Sequence, residues 1–487
     1  MPPSASARPQ ENTESRVIAS ALSRGPDGSG TARFLAERER VASRRWTRTT
    51  RVPLAELTGW HCAPGAAAFT HESGGFFAVE GLSVHAEGAA VPRWHQPIIH
   101  QPEVGILGIL AREFDGTLRF LMQLKAEPGN AGGLQLSPTV QATRSNYLGL
   151  HRGRPVPYLE HFRNPDPERV LVDVRQSEQG AWFLRKHNRN MVVEATEDVP
   201  VLDGFHWLTL GQLEELLFVD DLVNMDTRTV LACLPRCGPP PAGADALAGD
   251  AFTAALWRSL DPRQGALHPM RSILSWLTGT RTGTRLTAER VPLTRLPGWE
   301  RDGERLYHRS GRFFEIVGMR VEAAGREVGG WDQPMLAVAG TGLLALLVTR
   351  INGVLHALMH LRPEPGLRDV AELAPTVQCH VDNYDALPRA ARPRFLDVVL
   401  DADPAGVRFD TRLSDEGGRF DRVGNRHLVI ETERLPEPPS HRWMPVHQLG
   451  ALVDHSGYLN VQARSLLACL HALAAHRPAP TRGGPRP

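Results

Sequence analysis

The chain has 487 residues, a formal net charge of +1, 41% hydrophobic side chains and five cysteines. This length suits two or three domains with buried cores, and the near-zero charge gives no large electrostatic footprint for nucleic acid. No apolar run is long enough to span a bilayer, and the start lacks the apolar core of a secretory signal, so the sequence predicts a soluble, cytoplasmic protein.

The elements can be predicted in chain order. Residues 1–30 are rich in Ser, Pro and Gly and are predicted to be disordered. An apolar run from Gly105 to Leu110, the hairpin signal Asp115-Gly116 and alternating apolar residues over 118–124 predict two antiparallel strands. Further predicted elements are strands at 169–175, 181–185 and 191–195, and helices near 210–218 and 227–234.

The sequence contains two copies of the same domain. Trp94-His95-Gln96-Pro97 returns as Trp331-Asp332-Gln333-Pro334, and at the same offset Glu127-Pro128-Gly129 returns as Glu364-Pro365-Gly366 and Asn146-Tyr147 as Asn383-Tyr384. A repeat of this length is a whole domain rather than a solenoid unit. The prediction is an α+β protein, with a mixed sheet flanked by helices in each copy. Its segments are a first domain at 31–236, a linker at 237–246, a second domain at 247–475 and a disordered tail at 476–487.

Several kinds of chemistry have no visible motif. No strand leads into a Gly-x-Gly-x-x-Gly turn, and there is neither a Gly-Lys-Ser/Thr loop nor a Gly-x-Ser-x-Gly elbow. His95, His100 and Glu103 do not have the spacing of a metal set. We therefore expect no metal and no cofactor, and an enzyme of this sequence would work with side chains alone.

Lysine is rare in this chain and points to one residue. Of the 55 Lys+Arg, only Lys125 and Lys186 are lysine. A retained lysine suggests a need for a compact ammonium whose pKa can be shifted, which guanidinium cannot supply. Lys125 ends the predicted return strand, on the same side as Glu127, and its counterpart is Arg362. A surface lysine at a strand end is the alternative.

The loop after Lys125 differs between the copies. The first copy has Asn130, Gly132, Gly133 and Gln135, which let backbone and amide groups approach a polyhydroxylated ligand. The second copy replaces them with Leu367, Asp369, Val370 and Glu372. A working site is therefore expected in the first half. Pro128 and Gly129 are better explained as a turn that both copies need. Glu127 could be part of that turn or part of the site.

These motifs resemble the NDP-hexose 2,3-dehydratases of deoxysugar biosynthesis. The resemblance rests on Trp94-x-Gln-Pro, on Gln101-Pro-Glu-Val-Gly105, and on the block from Lys125 through Gly133-Leu-Gln-Leu-Ser-Pro-Thr-Val-Gln141 to Tyr147. It implies two Nudix-like domains in tandem, a homodimer and a dTDP-4-keto-6-deoxy-D-glucose substrate. It also implies two nucleotide-sugar pockets per chain, one catalytic and one vestigial. The catalytic Nudix box is absent from both halves, where Glu214-Glu215 is the nearest acidic pair.

Dehydration of a 4-keto sugar needs a base for the C3 proton, stabilisation of the enolate, and an acid for the C2 hydroxyl. The resulting enol tautomerises to a 3,4-diketo sugar, whose instability implies functional coupling to a downstream 3-ketoreductase. Our hypothesis makes Glu127 the base, Tyr147 the acid or enolate donor, and Lys125 the charge facing the enolate or diphosphate. The candidate substrate-binding residues are Trp94, Gln96, Asn130, Gln135, Thr139, Gln141, Thr143, Arg144, Ser145, Asn146 and Arg189.

Several alternatives stay open. The matching residues of the second pocket are Trp331, Arg362, Glu364, Gln378, Asn383 and Tyr384. Trp94 is either a thymine-stacking residue or core, and Arg189 is either a diphosphate clamp or part of a hydrogen bond that maintains the fold. Two other functions remain: a nucleotide-sugar hydrolase of the same fold, which would need clustered carboxylates and magnesium, and a non-catalytic nucleotide-sugar-binding protein.

Overall fold

The computed structural model describes residues 12–24, 30–62, 68–144, 154–239 and 249–476. Strands of the first half are β1 Trp46–Val52, β2 Trp60–His61, β3 Ala68–His71, β4 Ala78–Ala86, β5 Arg93–His100, β6 Gly105–Phe114, β7 Thr117–Ala126, β8 Leu134–Ser137, β9 Val140–Ala142, β10 Val170–Ser177, β11 His187–Glu194 and β12 Phe205–Thr209. Strands of the second half are β13 Leu286–Val291, β14 Trp299–Arg301, β15 Arg305–His308, β16 Glu315–Ala324, β17 Gly330–Ala337, β18 Gly342–Ile351, β19 Val354–Pro363, β20 Ala371–Ala374, β21 Val377–Cys379, β22 Val407–Ser414, β23 Phe420–Asp421, β24 Gly424–Glu431 and β25 His441–Pro445. The helices are α1 Thr13–Leu22, α2 Gly30–Ala42, α3 Glu160–Arg163, α4 Leu210–Leu216, α5 Met225–Ala232, α6 Ala251–Leu260, α7 Met270–Gly283, α8 Leu396–Leu400, α9 Val446–Val453 and α10 Val461–Ala475.

Each half has a seven-stranded mixed sheet of the same order. The first runs β10-β11-β6-β7-β12, with β8 paired to β7 and β9 to β6, and the second runs β22-β24-β18-β19-β20, with β21 paired to β18 and β25 to β19. In each sheet one pair is parallel, β11 with β6 and β18 with β24. The prediction of an α+β protein with two sheet-rich halves is therefore confirmed.

The predicted hairpin turns form in both copies. Asp115 and Gly116 have φ of 49° and 77°, and Asn352 and Gly353 have φ of 52° and 79°. Positive φ at both central residues matches the right-handed twist of the flanking strands. The turns bring the ends of β6 and β7, and of β18 and β19, into register.

A second pair of sheets interlocks the halves. β1 of the first half pairs antiparallel with β16 of the second, and β13 of the second half pairs antiparallel with β4 of the first. The crossings are close, because a Cβ built on Gly318 would lie 2.5 Å from the Val52 carbonyl oxygen and one built on Gly81 would lie 2.6 Å from that of Val291. Each of these two sheets therefore contains strands from both sides of the predicted linker at 237–246.

The two halves also share one core. α5 packs against α10, and buried residues from both halves form a single hydrophobic cluster. Two buried arginines donate hydrogen bonds across this contact: Arg228 donates to Ser465 Oγ, and Arg464 donates to Thr229 Oγ1 at 2.6 Å. A buried cation needs such full hydrogen bonding to offset its lost hydration. The halves are thus parts of one folded body.

The predicted disorder of 1–30 is wrong for residues 13–22, which form α1. Val17, Ile18, Ser20 and Ala21 are buried, and Ser20 Oγ accepts from the Leu210 backbone at 2.9 Å. The second copy repeats this contact, because Ser259 of α6 accepts from the Val446 backbone at 2.7 Å. Composition misled here because a ten-residue helix lies within a segment rich in Ser, Pro and Gly. α1 belongs to the first copy.

One predicted strand is also wrong. Residues 181–185 form a turn in which Trp182 and Phe183 donate backbone hydrogen bonds to the Gln179 carbonyl, and Arg185 has φ of 52°. The apolar residues that suggested a strand point into the contact between the halves, where Phe183 is buried. None of the described helices is long and apolar enough to cross a lipid bilayer.

Candidate active site

A cavity of about 220 Å³ lies where the first central sheet meets the exchanged sheets. The ends of β7 and β9 and the turn 178–188 form its floor. The second half closes it with the turn between β16 and β17 and with residues 416–419. Its polar lining includes Gln101, Lys125, Glu127, Gln141, Thr143, Arg154, Glu178, Lys186, Asn188, Asp226, Arg326, Glu327, Glu416 and Arg419.

Lys125, Glu127 and Arg326 form a buried cluster on one side of the cavity. Lys125 Nζ lies 2.8 Å from Glu127 Oε1, and an Arg326 guanidinium nitrogen lies 3.0 Å from Glu127 Oε2. Arg326 also donates to the Ala126 carbonyl at 2.8 Å. Burial opposes ionisation of Glu127, but the two cations outweigh it and lower its pKa to about 2. Glu127 is therefore a charged, doubly paired carboxylate.

Three further carboxyl groups line the cavity: those of Glu178 and Asp226 are buried, and that of Glu416 is partly buried. Burial, followed by the charge of Glu416, raises the pKa of Glu178 to about 7. Burial and the nearby Glu178 and Glu416 also raise the pKa of Asp226, and burial raises that of Glu416. Glu178 Oε2 and Asp226 Oδ1 have no hydrogen-bond partner within the described part of the chain. The Glu178 carboxyl group, with a pKa of about 7, can hold a proton and give it up near neutral pH.

Lys186, the second lysine of the chain, lies beside these acids. It is 5% exposed, and its ammonium donates to the Glu103 carbonyl at 2.6 Å. Burial lowers its pKa to about 8. The backbone N–H of Glu178 donates to the Lys186 carbonyl at 2.9 Å, so the short turn 178–186 brings the two residues together.

The matching positions in the second half are neutral or already bonded. Glu178, Glu416 and Asp226 correspond to Asp415, Gln179 and Gln462. There Gln179 donates to Asp415 at 2.8 Å, and Gln462 donates to Gln179 at 3.1 Å. Lys186 corresponds to Val423, and Arg326 to Ala89. The charged, incompletely bonded cluster is therefore on the first-half side.

An aromatic wall lines the mouth of the same cavity. Trp60, Phe76, Phe77 and Phe183 contribute it, with the Trp60 ring centre 4.8 Å from that of Phe77. The Arg419 guanidinium lies 4.4 Å from the centre of the Phe77 ring, and Arg419 Nε has no hydrogen-bond partner among the described residues. Flat rings beside a cation suit a base and a phosphate.

The structure brings some of the predicted substrate-binding residues together and separates others. Gln141 and Thr143 line the cavity with Lys125 and Glu127. Ser145, Asn146 and Tyr147 lie outside the described residues. Trp94 and Gln96 are not among the lining residues. The indole of Trp94 donates to Gln96, which donates in turn to the Ala181 carbonyl at 2.7 Å.

The strand exchange explains the position of Trp94. In the second copy Trp331 makes the matching bond to Gln333, and both line the first-half cavity. Trp331, predicted for the second pocket, therefore replaces Trp94. The sequence could not show this, because the two copies are alike at these positions and only the exchange of β1 and β13 decides which copy faces which cavity.

Four other predicted residues are not among those that line the cavity. Thr139 Oγ1 accepts from the Leu110 backbone at 2.9 Å, as Thr376 does from Leu347 at 3.0 Å. Gln135 is buried and accepts from Ser414 at 3.0 Å. Asn130 donates to the Gly133 carbonyl at 3.0 Å, and Arg144 is exposed.

Arg189 does not act as a diphosphate clamp in this geometry. Its guanidinium pairs with Asp173 at 2.5 Å, and the equivalent Arg426 pairs with Asp410 at 2.6 Å. The same contact in both copies favours the alternative that Arg189 maintains the fold. The neighbouring Asn188 does line the cavity and donates to Glu178 at 2.9 Å.

The second-half cluster is bonded within its own half, although Glu364 Oε2 has no hydrogen-bond partner among the described residues. Arg362 lies 3.0 Å from Glu364, and Gln378 donates to the same carboxylate at 3.1 Å. Asn383 accepts from the Phe313 backbone at 2.9 Å, and Tyr384 packs against the apolar cluster around Trp443. Arg362 therefore takes the position of Lys125 but is held by its own half.

Metal ligation finds no support in the described part of the chain, where no group of three His, Cys, Asp or Glu side chains is arranged to hold an ion. His95 contacts Ser83 and His100 pairs with Glu80, so these histidines are not gathered with Glu103. Glu214, from the pair nearest to a Nudix box, is buried against Arg236.

Sequence reasoning missed Glu178, Asp226, Lys186, Arg326 and Arg419. A signal existed for three of them: Lys186 is the other lysine, while Glu178 and Asp226 face an aspartate and a glutamine in the second copy. Arg326 and Arg419 belong to the half that was expected to be vestigial, and only the fold places them here.

Comparison with known proteins identifies the family of the chain. The NDP-hexose 2,3-dehydratase family model matches residues 31–234 and 270–470. A protein of Saccharopolyspora spinosa is 49% identical over 434 residues, covering 88% of each chain. One of Amycolatopsis orientalis is 45% identical over 89% of this chain and 88% of its own, and one of Streptomyces violaceoruber is 45% identical over 90% and 96%. All three are named dTDP-4-dehydro-6-deoxy-alpha-D-glucopyranose 2,3-dehydratase. The chain belongs to the NDP-hexose 2,3-dehydratase family.

Proposed function

We propose that this chain removes water across C2 and C3 of dTDP-4-keto-6-deoxy-D-glucose and yields a 3,4-diketo-2,6-dideoxy sugar for deoxysugar biosynthesis. This makes it a carbon–oxygen lyase. The names of its relatives support the substrate. The observation that carries the proposal is one cavity that holds two buried cations around Glu127 and a separate group of buried acids. Such a cavity can accept the negative charge of an enolate and also exchange protons.

The reaction begins with loss of the C3 proton, which lies beside the C4 carbonyl. The negative charge then gathers on the C4 oxygen, where a fixed cation lowers the barrier most effectively in a site with little water. Lys125 is buried and 14% of the Arg326 side chain is exposed, and both are fixed by Glu127 and by backbone carbonyls. We assign them to this oxygen, and they need little rearrangement as the charge develops.

Glu127 holds these cations in place. A carboxylate whose pKa lies at about 2 is a weak acceptor for a carbon-bound proton, because proton transfer is efficient when the pKa of the base lies near the working pH. The ion pairs instead fix the positions of Lys125 Nζ and the Arg326 guanidinium. The base role of Glu127 and the acid role of Tyr147 stay predictions from the sequence.

Nucleotide recognition is assigned to the mouth of the cavity. The rings of Trp60 and Phe77, inclined at 50° to each other, offer apolar surface for thymine, and Trp331 takes the role first considered for Trp94. Arg419 and Arg154 line the same cavity and can bind the diphosphate. Binding energy at this end would position the sugar against Lys125 and Arg326.

Three further features rest on the family resemblance. We propose that each half is a Nudix-like domain, supported by its mixed sheet with packed helices. We also propose that the chain forms a homodimer, and that the unstable product passes to a 3-ketoreductase. Separate roles for the halves, a catalytic first domain at 31–236 and a vestigial second pocket within 247–475, remain proposals as well.

The direct test incubates the purified protein with dTDP-4-keto-6-deoxy-D-glucose and follows the nucleotide sugar by mass spectrometry, with a 3-ketoreductase and its reductant present to trap the product. Loss of one water is expected, and EDTA should leave the rate unchanged. Tight binding of dTDP without loss of water would favour a binding protein. Release of dTMP that stops in EDTA would favour a diphosphate hydrolase.

A further inference from the structure

Two buried groups in the cavity have no role so far, although they lie together. Lys186 and Glu178 both line it, each 5% exposed, on the side of the three carboxyl groups. Their backbones are hydrogen-bonded to each other at 2.9 Å across the turn 178–186. The charge of each acts on the pKa of the other, so the protonation of the two groups is linked.

The contacts of each group leave atoms available to the cavity. Asn188 donates to Glu178 Oε1 at 2.9 Å, while Glu178 Oε2 has no hydrogen-bond partner within the described ranges. Lys186 Nζ donates to the Glu103 carbonyl at 2.6 Å, which fixes the amine and uses one of its protons. An oriented amine and a carboxyl oxygen without a partner are a suitable base and acid.

The second half lacks this pair. Lys186 is replaced by Val423, and Glu178 corresponds to Asp415, whose two oxygens accept from Gln179 and Asn425 at 2.8 and 2.9 Å. The Asn188 contact to the acid is kept as Asn425, so the fold needs the amide–carboxylate bond in both copies. What the first copy adds is the lysine and the free carboxyl oxygen.

We propose that Lys186 is the base that removes the C3 proton and that Glu178 is the acid that protonates the departing C2 hydroxyl. This assignment rests on the proposed dehydration and deepens it. Neutral Lys186 takes the C3 proton, so that the C3–H bond breaks, an N–H bond forms and the electron pair moves to the C4 oxygen. The enolate then expels the C2 oxygen, which receives a proton from the Glu178 carboxyl group and leaves as water.

The pair is left as an ammonium and a carboxylate, and the starting state is restored when Lys186 gives one proton to the solvent and Glu178 takes one from it. The product is the enol with its double bond between C2 and C3, and tautomerisation gives the 3,4-diketo sugar. No oxidant, reductant or metal is consumed. Lys125 and Arg326 act on the C4 oxygen throughout, so the two lysines of the chain have different tasks.

The test separates proton removal from loss of water. Each enzyme is incubated in D₂O with dTDP-4-keto-6-deoxy-D-glucose, and exchange at C3 and loss of water are measured separately. We expect Lys186→Met and Lys186→Arg to lose both, by about 100-fold or more. We expect Glu178→Gln to keep C3 exchange and to lose elimination by a similar factor. Full activity of Lys186→Arg would overturn the proposal, because guanidinium supplies charge but no base.

Glu372→Gln is the matched control. Burial raises the pKa of Glu372 to about 7, as for Glu178, but Glu372 accepts from Ser177 and lies outside the cavity. This variant should exchange and eliminate like the wild type. If the wild type itself neither exchanges C3 nor loses water, the proposed function fails. If it does both and Lys186→Met does too, only the present assignment fails.

If a variant no longer binds dTDP in calorimetry, the pH profile of the wild type tests the proposal instead. Glu178 faces Glu416, Arg464 and Lys186, and Lys186 faces Glu178, Glu103, Arg419 and Glu416. With pKa values of about 7 and about 8, the two groups together carry one proton only between these limits. The elimination rate should therefore fall on both sides of that window. A flat profile from about pH 6 to about pH 9 would overturn the proposal.

Discussion

Arg326, from the second half of the chain, forms an ion pair with Glu127 of the first half at 3.0 Å inside the cavity. The contact follows from the strand exchange, because Arg326 lies in the turn between β16 and β17, and β16 pairs with β1 of the first half. Residues of both halves therefore line the same cavity. The first half supplies Lys125, Glu178 and Lys186, and the second supplies Arg326, Glu416 and Arg419.

The first prediction concerns this pair. Arg326→Met should lower turnover by about 100-fold, because the enolate loses one of its two fixed cations. It should also lower the free energy of unfolding near pH 7 by about 1–3 kcal/mol, since Glu127 stays buried with only Lys125 to pair with it. Burial would then raise the pKa of Glu127. Turnover by the coupled assay and unfolding by denaturant measure the two effects.

Arg48→Ala is the control for Arg326→Met. Arg48 lies on the exchanged strand β1 and meets Glu322 at 4.0 Å in an exposed contact. An exposed pair at this distance contributes less than about 1 kcal/mol, so stability and turnover should both stay near the wild type. Equal losses in the two variants would show that Arg326 acts only by holding the strands together.

The second prediction compares the two glutamates of the duplicated turn. Glu127→Gln should abolish most turnover, because an amide cannot hold both Lys125 and Arg326 in position. Glu364→Gln should leave turnover near the wild type, because Glu364 is bonded to Arg362 and Gln378 within the second half. Loss of turnover in the Glu364 variant alone would contradict the placement of the active site in the first-half cavity.

The sequence predicted those parts of the molecule that depend on local patterns or on one copy at a time. Asp115-Gly116 forms its hairpin because positive φ at both positions is required there. Lys125, Glu127, Gln141 and Thr143 meet because they lie at or just after the ends of β7 and β9, which both pair with β6. Arg326 and Trp331 could not be placed, because alternation along a strand does not reveal its partner strand. Trp94 was assigned to the wrong cavity for the same reason.

The third prediction tests the Glu-Pro-Gly turn of each half, which packs closely against the backbone of the other half. A Cβ on Gly129 would lie 1.6 Å from the Phe420 carbonyl oxygen, and one on Gly366 would lie 2.0 Å from that of Phe183. Gly129→Ala and Gly366→Ala should each lower the free energy of unfolding by about 2 kcal/mol or more, because backbone must move. Gly132→Ala meets no atom closer than 3.9 Å and should be tolerated. Denaturant midpoints check all three, and a tolerated Gly366→Ala would contradict the tight crossing.

The fourth prediction concerns α1. Val17 is fully buried, so Val17→Ala should lower the free energy of unfolding by about 2 kcal/mol through lost burial and the cavity left behind. Ser15 is exposed on the same helix, and Ser15→Ala should change the free energy of unfolding by less than about 0.5 kcal/mol. Thermal unfolding of both variants is the measurement. Equal stability would mean that α1 is not part of the folded core.

The fifth prediction uses the charges around Lys186 to set the sign of a pH shift. The Glu178 carboxylate favours the ammonium and so raises the pKa of Lys186 against the larger lowering by burial. In Glu178→Gln that attraction is gone, so Lys186 should lose its proton at a lower pH, and C3 exchange should reach its plateau below about pH 8.

Glu416→Gln extends this argument to both limbs of the elimination profile. Glu416 raises the pKa of Glu178 by repulsion and that of Lys186 by attraction, so its removal should lower both. The whole window of elimination should then move to lower pH, whereas Glu178→Gln should remove the alkaline limb. Rates of C3 exchange and water loss, measured at the same pH values in both variants, distinguish the two outcomes. An unmoved window in Glu416→Gln would show that other groups set the alkaline and acid limits, because the charge of Glu416 acts on both members of the pair.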